Sequence, residues 1–189
     1  MAAYEIVAKG LKGGHSGIDI PLGRANSNKI MFRFLMQAES DFRIRIAETA
    51  GGDLRNAIPR ESHAIITVAK KNAPEFEKFV RNYEKMYKKE FAETEPTLSF
   101  KCKKTDLPGK VMGKEDQFGI IRAVFACPNG VQRMSQAMKG LDETSNNLAI
   151  VRFKNGRFEA YNLTRSSVDS SKEATAWKIA AGFQLAGCD

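Results

Sequence analysis

Residues 149–161 read Ala149-Ile150-Val151-Arg152-Phe153-Lys154, then Asn155-Gly156, then Arg157-Phe158-Glu159-Ala160-Tyr161. Two strand-forming runs separated by Asn-Gly predict a β-hairpin, because that pair supplies the positive φ angles of a tight type I′ turn. A hairpin is an antiparallel unit, so the sheet it joins is expected to be antiparallel. On its C-terminal side, Ser170-Ser171-Lys172-Glu173 has the spacing of a capping box and predicts a helix through Trp177, Ala180, Ala181 and Gln184. On its N-terminal side, a helix over about Glu115–Phe125 stops at Pro128-Asn129-Gly130, and a short strand is expected near Gly140–Thr144.

Further toward the N-terminus the pattern is β-α-β-β-α-β. Tyr4–Leu11 alternates as a strand, and Lys12–Gly17 is a glycine-rich loop. Asn28–Ala38 places Ile30, Met31, Phe34 and Leu35 on one helical face. Phe42, Ile44 and Ile46 alternate with Arg43 and Arg45, which predicts a strand over Phe42–Glu48, broken by Gly51-Gly52. Ala64–Ala69 is a β-branched strand. Asn72-Ala73-Pro74-Glu75 opens a helix with Phe76, Phe79, Val80, Tyr83 and Tyr87 at helical spacing, and Thr97–Lys103 reads as the next strand. The expected fold is α+β: a mainly antiparallel sheet with helices on one face. Its first half is ferredoxin-like βαββαβ, and a second, partly similar half follows. Leu107-Pro108-Gly109 marks the seam between subdomains expected at 1–107 and 108–189.

The 189 residues fit one domain or two small subdomains, and 42% hydrophobic residues are enough for a core. The net charge of +8 favours an anionic partner without choosing among nucleic acid, an acidic membrane and a carboxylate substrate. A solvated basic surface fits the same numbers, since the excess over Lys85–Lys104 and Arg152–Arg165 forms no continuous run. Three cysteines (Cys102, Cys127 and Cys188), with no C-x-x-C and no secretion signal, point to reduced thiols in the cytoplasm. No apolar run is long enough to span a bilayer, so no membrane partner is expected. The chain opens directly into a strand pattern and stops just after a helix, as an excised piece of a longer protein does.

A complete metal site is not expected, because the histidines His15 and His63 belong to no H-x-x-x-H or paired-carboxylate cluster. Neither Cys102 nor Cys127 has a histidine partner in the sequence. Three segments remain. Gly13-Gly14-His15-Ser16-Gly17 presents a histidine on an open, flexible loop, where it can donate to a developing negative charge or simply mark a turn. In Gly51–Glu61, Asn56 can donate and accept, and Arg55 or Arg60 can grip a carboxylate; solvated loop charges read equally well. Arg165 stands at a strand end before the last helix, placed to offer its guanidinium to a carboxylate or to form an ion pair with Asp169.

Together these segments resemble those of the aminoacyl-histidine dipeptidases, also called Xaa-His dipeptidases, peptidase D or bacterial carnosinases. These are di-zinc metallopeptidases related to peptidase T and the glutamate carboxypeptidases. The resemblance rests on Lys9–Gly17 with Gly23–Lys29, on Gly51–Glu61, and on Pro128–Val131, Glu143–Ser145 and Arg165–Ser170, all in the family's order. It implies that residues 1–189 are the lid, or dimerisation, domain of such an enzyme. The family's zinc-ligand motifs and catalytic glutamate are absent here. The resemblance further implies a cytosolic Xaa-His dipeptidase as parent, with two zinc ions in a catalytic domain outside this chain, and no peptidase activity for this chain alone. The implied partners are a dipeptide substrate, the parent's own catalytic domain and a second copy in a homodimer. By position, His15 matches a lid histidine that stabilises the tetrahedral intermediate. Asn56 matches a lid asparagine near the substrate, and Arg165 a lid arginine that holds the substrate's C-terminal carboxylate. Relatives often carry a histidine where Pro21 stands, which puts fine specificity in question.

Two other classes compete. A self-associating interaction module without a catalytic role would share the fold. An RNA-binding ferredoxin-like module would share the βαββαβ order and the charge, but no strand carries the clustered aromatics that RNA stacking needs, so no nucleic-acid partner is expected.

Overall fold

The computed structural model describes residues 1–189. In chain order the elements are β1 (Ala2–Lys9), β2 (Gly14–His15), a 3-10 turn (Ile20–Leu22), α1 (Ser27–Phe42), β3 (Arg45–Gly51), β4 (Ala57–Ile58) and β5 (Ser62–Val68). Then come α2 (Ala73–Glu90), β6 (Ser99–Thr105), α3 (Lys114–Ala126), β7 (Gly130–Met134), β8 (Asp142–Lys154), β9 (Arg157–Ser166) and α4 (Asp169–Gln184).

Seven strands form one sheet in the order β6-β1-β5-β3-β8-β7, with β9 also paired to β8. Every pairing is antiparallel. The first half has the ferredoxin-like order expected from its βαββαβ pattern. The second half is partly similar: apart from β7 and the two-residue β4, α3–β8–β9–α4 matches the α1–β3–β5–α2 part of the first half. The halves meet through corresponding elements, since β3 pairs with β8 and α1 packs on α3. The hairpin closes as expected, with Asn155 at φ 54° and Gly156 at φ 81°.

Helix α1 starts where the Asn26 side chain accepts the N–H groups of Asn28 and Lys29. It lays Ile30, Met31, Phe34, Leu35 and Ala38 on the sheet, all fully buried. Phe34 is the hub of an aromatic cluster with Phe76, Phe79, Tyr83 and Phe100, at ring separations of 5.0–6.0 Å. Such pairs each add about 0.5–1.5 kcal/mol beyond the burial of their area.

Three local expectations are corrected, and one strand is new. Phe42 ends helix α1 instead of starting a strand, and Arg43, in the left-handed region at φ 51°, makes the break. The short strand expected near residues 140–144 is the first part of β8, which runs unbroken for 13 residues into the hairpin. Strand β7 was not anticipated. The capping box at Ser170 does not form: α4 begins at Asp169, Ser170 is inside it, and no side chain caps it.

Candidate functional site

The loop Lys12–Ala25 is closed at its base by one buried carboxylate. Glu95, 1% exposed, accepts the Lys12 N–H at 2.7 Å and the Ala25 N–H at 2.9 Å. Inside the loop, Asp19 accepts the His15 N–H at 2.8 Å and lies 3.4 Å from Arg24, whose guanidinium donates to the Gly13 carbonyl at 2.6 Å. The loop is therefore cross-braced, not the flexible segment that its glycines suggested. Gly13 and Gly14 sit at φ 62° and 140°, conformations that favour glycine. Pro21 lies in the 3-10 turn that completes the loop.

Within this brace, the Nδ1 atom of His15 accepts the N–H groups of Gly17 and Ile18, each at 3.2 Å. An imidazole nitrogen that accepts carries no proton, so in the neutral ring this network assigns the proton to Nε2. The fixed ring thus keeps one donor, Nε2–H, free for a ligand. A β-carbon built on Gly17 would lie 3.2 Å from His15 Cε1 and 3.4 Å from Arg165 Nε. His15 and Arg165, 150 positions apart in sequence, therefore face each other across Gly17, where an added β-carbon would fit only if the ring gave way by a few tenths of an ångström.

Asn56 joins them through the backbone. His15 pairs with Ala57 in the β2–β4 ribbon, and the Ser16 N–H donates to the Asn56 carbonyl at 2.9 Å. The Asn56 side chain is exposed. Arg165 is held by its rung with Ser145 in the β8–β9 ladder. It does not pair with Asp169, which instead accepts from Lys172 at 2.6 Å, so the guanidinium stays available. The structure thus brings His15, Asn56 and Arg165 to one place: an Nε2–H donor, an amide and a guanidinium.

The remaining candidates lie elsewhere. The Arg60 stem packs over Gly13, and Arg55 is exposed beside Asn56. His63 lies on β5 with its Nε2 3.8 Å from Glu48, without a third ligand. No group of three or more His, Cys, Asp or Glu side chains is placed to hold a metal ion, so zinc does not fit the donors of this chain and no step is assigned through it. Burial pushes the Cys127 thiol up to about 11, and burial likewise raises the Cys102 thiol, so neither is an activated nucleophile. A cavity of about 1250 Å³, bounded by α4, β9 and the loop 108–113, contains none of the three site residues. No helix is long and apolar enough to cross a membrane.

Residues 6–95 match the family model of the peptidase dimerisation domain. A solved structure agrees over nearly the whole chain: aminoacylhistidine dipeptidase from Vibrio alginolyticus superimposes with a TM-score of 0.96, at 34% identity over 98% of this chain. Residues 6–95 of this chain carry a peptidase dimerisation domain. The chain is also 37% identical over 186 residues, 97% of its length, to the cytosol non-specific dipeptidase of Escherichia coli (strain K12). It spans 38% of the length of each of these two relatives. The sequence-based resemblance to dipeptidases and the mixed, mainly antiparallel fold are both borne out by these matches. Glu95 and Asp19, which brace the loop that carries His15, were missed because they accept backbone N–H groups, which carry no sequence signature.

Proposed function

We propose that this dimerisation domain is also the substrate-binding lid of a metal-dependent cytosolic dipeptidase acting on Xaa-His dipeptides. The observation that carries the reading is the convergence of His15 and Arg165 on Gly17, 3.2 and 3.4 Å from the position of its missing β-carbon, with Asn56 on the adjoining ribbon. In this reading Arg165 holds the C-terminal carboxylate of the dipeptide in a charge-assisted fork. His15 points its Nε2–H at the scissile carbonyl oxygen and stabilises the negative charge that develops there. Asn56 orients the peptide between them. The two zinc ions implied by the resemblance belong to a catalytic domain outside these residues, so the chain alone has no peptidase activity.

Two features support a lid that works against another surface. Ile18 and Leu54, beside Gly17 and Arg55 in sequence, are 79% and 64% exposed. Large apolar side chains flanking a polar clamp fit a face that a second domain covers when the lid shuts and excludes water. The names of both relatives include dipeptidase, and the family description supports pairing with a second copy in a homodimer.

The test is His15→Ala in the full-length protein that carries this domain. The expected result is a fall in kcat of about 10²–10³-fold with little change in KM, as for the loss of an oxyanion donor. A change confined to KM would make His15 a ground-state contact. Cleavage of an Xaa-His dipeptide by the isolated chain would overturn the assignment to a lid that lacks its own catalytic machinery.

A further inference from the structure

We infer that Asn147 is the positioning residue that sets the geometry of the clamp, an inference that rests on the lid reading above. Asn147 is 0% exposed, in the middle of strand β8. Its Nδ2 donates to the Ala57 carbonyl at 2.8 Å and to the Arg55 carbonyl at 3.3 Å, the residues on either side of Asn56. Its Oδ1 receives Asn26 Nδ2 at 3.5 Å. Asn26 Nδ2 also donates to Asn129 Oδ1 at 2.9 Å and to the Leu148 carbonyl at 3.0 Å, and Asn129 Oδ1 in turn accepts the Leu148 N–H at 3.0 Å. Two carbonyls on one side and an amide donor on the other fix which way the Asn147 amide points.

The ribbon that Asn147 grips cannot hold itself. Strands β2 and β4 are two residues long, and the ribbon has only the pairs Gly14–Ile58 and His15–Ala57. A ladder that short has no stability of its own. Other contacts anchor the flanks of the loop: the Ser27 N–H donates to the Pro59 carbonyl, and Asn28 Nδ2 to the Gly51 carbonyl. Residues 55–57 are tied to the main sheet by Asn147.

Asn147 also lies two residues from Ser145, which faces Arg165 across the β8–β9 ladder. On a strand, residues two apart share a face. One side chain therefore registers the His15–Asn56 ribbon against the strand that holds Arg165. A neutral amide suits this task because it bridges two carbonyls without burying a charge. Substrate positioning of this kind is sensitive at the ångström level, where a displacement of about 1 Å can cost about 10²-fold in rate.

The experiment uses Asn147→Asp, which keeps the volume and removes both donors, with Asn147→Ser as a smaller variant that keeps one donor. Amide hydrogen exchange on this chain reads the Ser16 N–H, which bonds to Asn56, against the amides of β1 and β5. The expected result is at least a tenfold loss of Ser16 protection in Asn147→Asp, a smaller loss in Asn147→Ser, and no loss in β1 and β5. In the full-length protein, kcat for a dipeptide is expected to fall in Asn147→Asp, and the fall is expected to vanish in a His15→Ala background. Unchanged Ser16 protection overturns the positioning role whatever the activity does. An equal fall in kcat in both backgrounds also overturns it, because Asn147 then acts through something other than His15. If His15→Ala leaves kcat intact, the lid reading has failed, and the exchange measurement still decides whether Asn147 holds the ribbon.

Discussion

His15 Nδ1 accepts the Gly17 N–H at 3.2 Å, so the neutral ring is committed to carrying its proton on Nε2. The expected result of ring-nitrogen NMR on the chain, at a pH where His15 is neutral, is a protonated Nε2 and an unprotonated, hydrogen-bonded Nδ1. The opposite tautomer would leave His15 with an acceptor, not a donor, toward the substrate.

Gly17 separates stability from activity. Its backbone is not in the left-handed region, so Gly17→Ala adds no φ strain. The new β-carbon would nevertheless sit 3.2 Å from His15 Cε1, and the ring would have to move by a few tenths of an ångström. Stability is expected to change by no more than about 0.5 kcal/mol, as for ordinary surface substitutions. Activity of the full-length protein is expected to drop by about 10–100-fold, because the donor is misplaced. Thermal melting and steady-state kinetics on the same sample check both halves.

Glu95 should behave as a structural clasp. Glu95→Ala leaves the Lys12 and Ala25 N–H groups without their shared acceptor, at about 1–3 kcal/mol for each group that stays buried. Glu95→Gln keeps one oxygen as an acceptor and is expected to lose less. Urea titration of the three proteins gives the order directly, and equal stability of Glu95→Ala and the wild type would contradict the clasp.

Cys127 makes the fold sensitive to alkali. Burial raises its thiol from 9.0 to about 11, against the opposing pull of the Lys29 ammonium and a hydrogen bond with Asn162. Below pH 9 the thiol is protonated in both the folded and the unfolded chain, and its contribution is fully present. Between pH 9 and about 11 the unfolded chain releases the proton first, so stability falls as pH rises. The loss approaches about 2–3 kcal/mol. Denaturant titrations at pH 8 and pH 10.5 are expected to show a steeper decline for the wild type than for Cys127→Ala.

The sequence revealed what local rules govern. Asn155-Gly156 forced the hairpin because the turn needs two positive φ angles, and the apolar face of α1 followed from its spacing. The strand over 142–154 was read in two pieces because its first half, Glu143 to Asn147, is polar and yet buried. Hydropathy cannot anticipate that these side chains find partners inside. Phe42 misled because its alternation with Ile44 and Ile46 continues across the end of a helix. In the site, no local pattern decided between a functional and an incidental His15; the resemblance of five ordered segments supplied the three residues. The features that hold them, Glu95 and Asn147, bond to backbone groups 70–92 positions away. The one hint available was two asparagines set directly before the apolar run Leu148-Ala149-Ile150-Val151.

The most direct test of the clamp compares a dipeptide with its C-terminal amide in the full-length protein, wild type against Arg165→Ala. If Arg165 holds the carboxylate, the wild type favours the free acid, and Arg165→Ala raises KM for the acid by about 10–100-fold, in line with about 1.5–3 kcal/mol for a hydrogen bond to a charged group. The amide is then cleaved equally by both proteins, so the preference disappears. A variant that keeps the full preference for the acid would contradict the account, because the carboxylate would then be bound somewhere other than opposite His15.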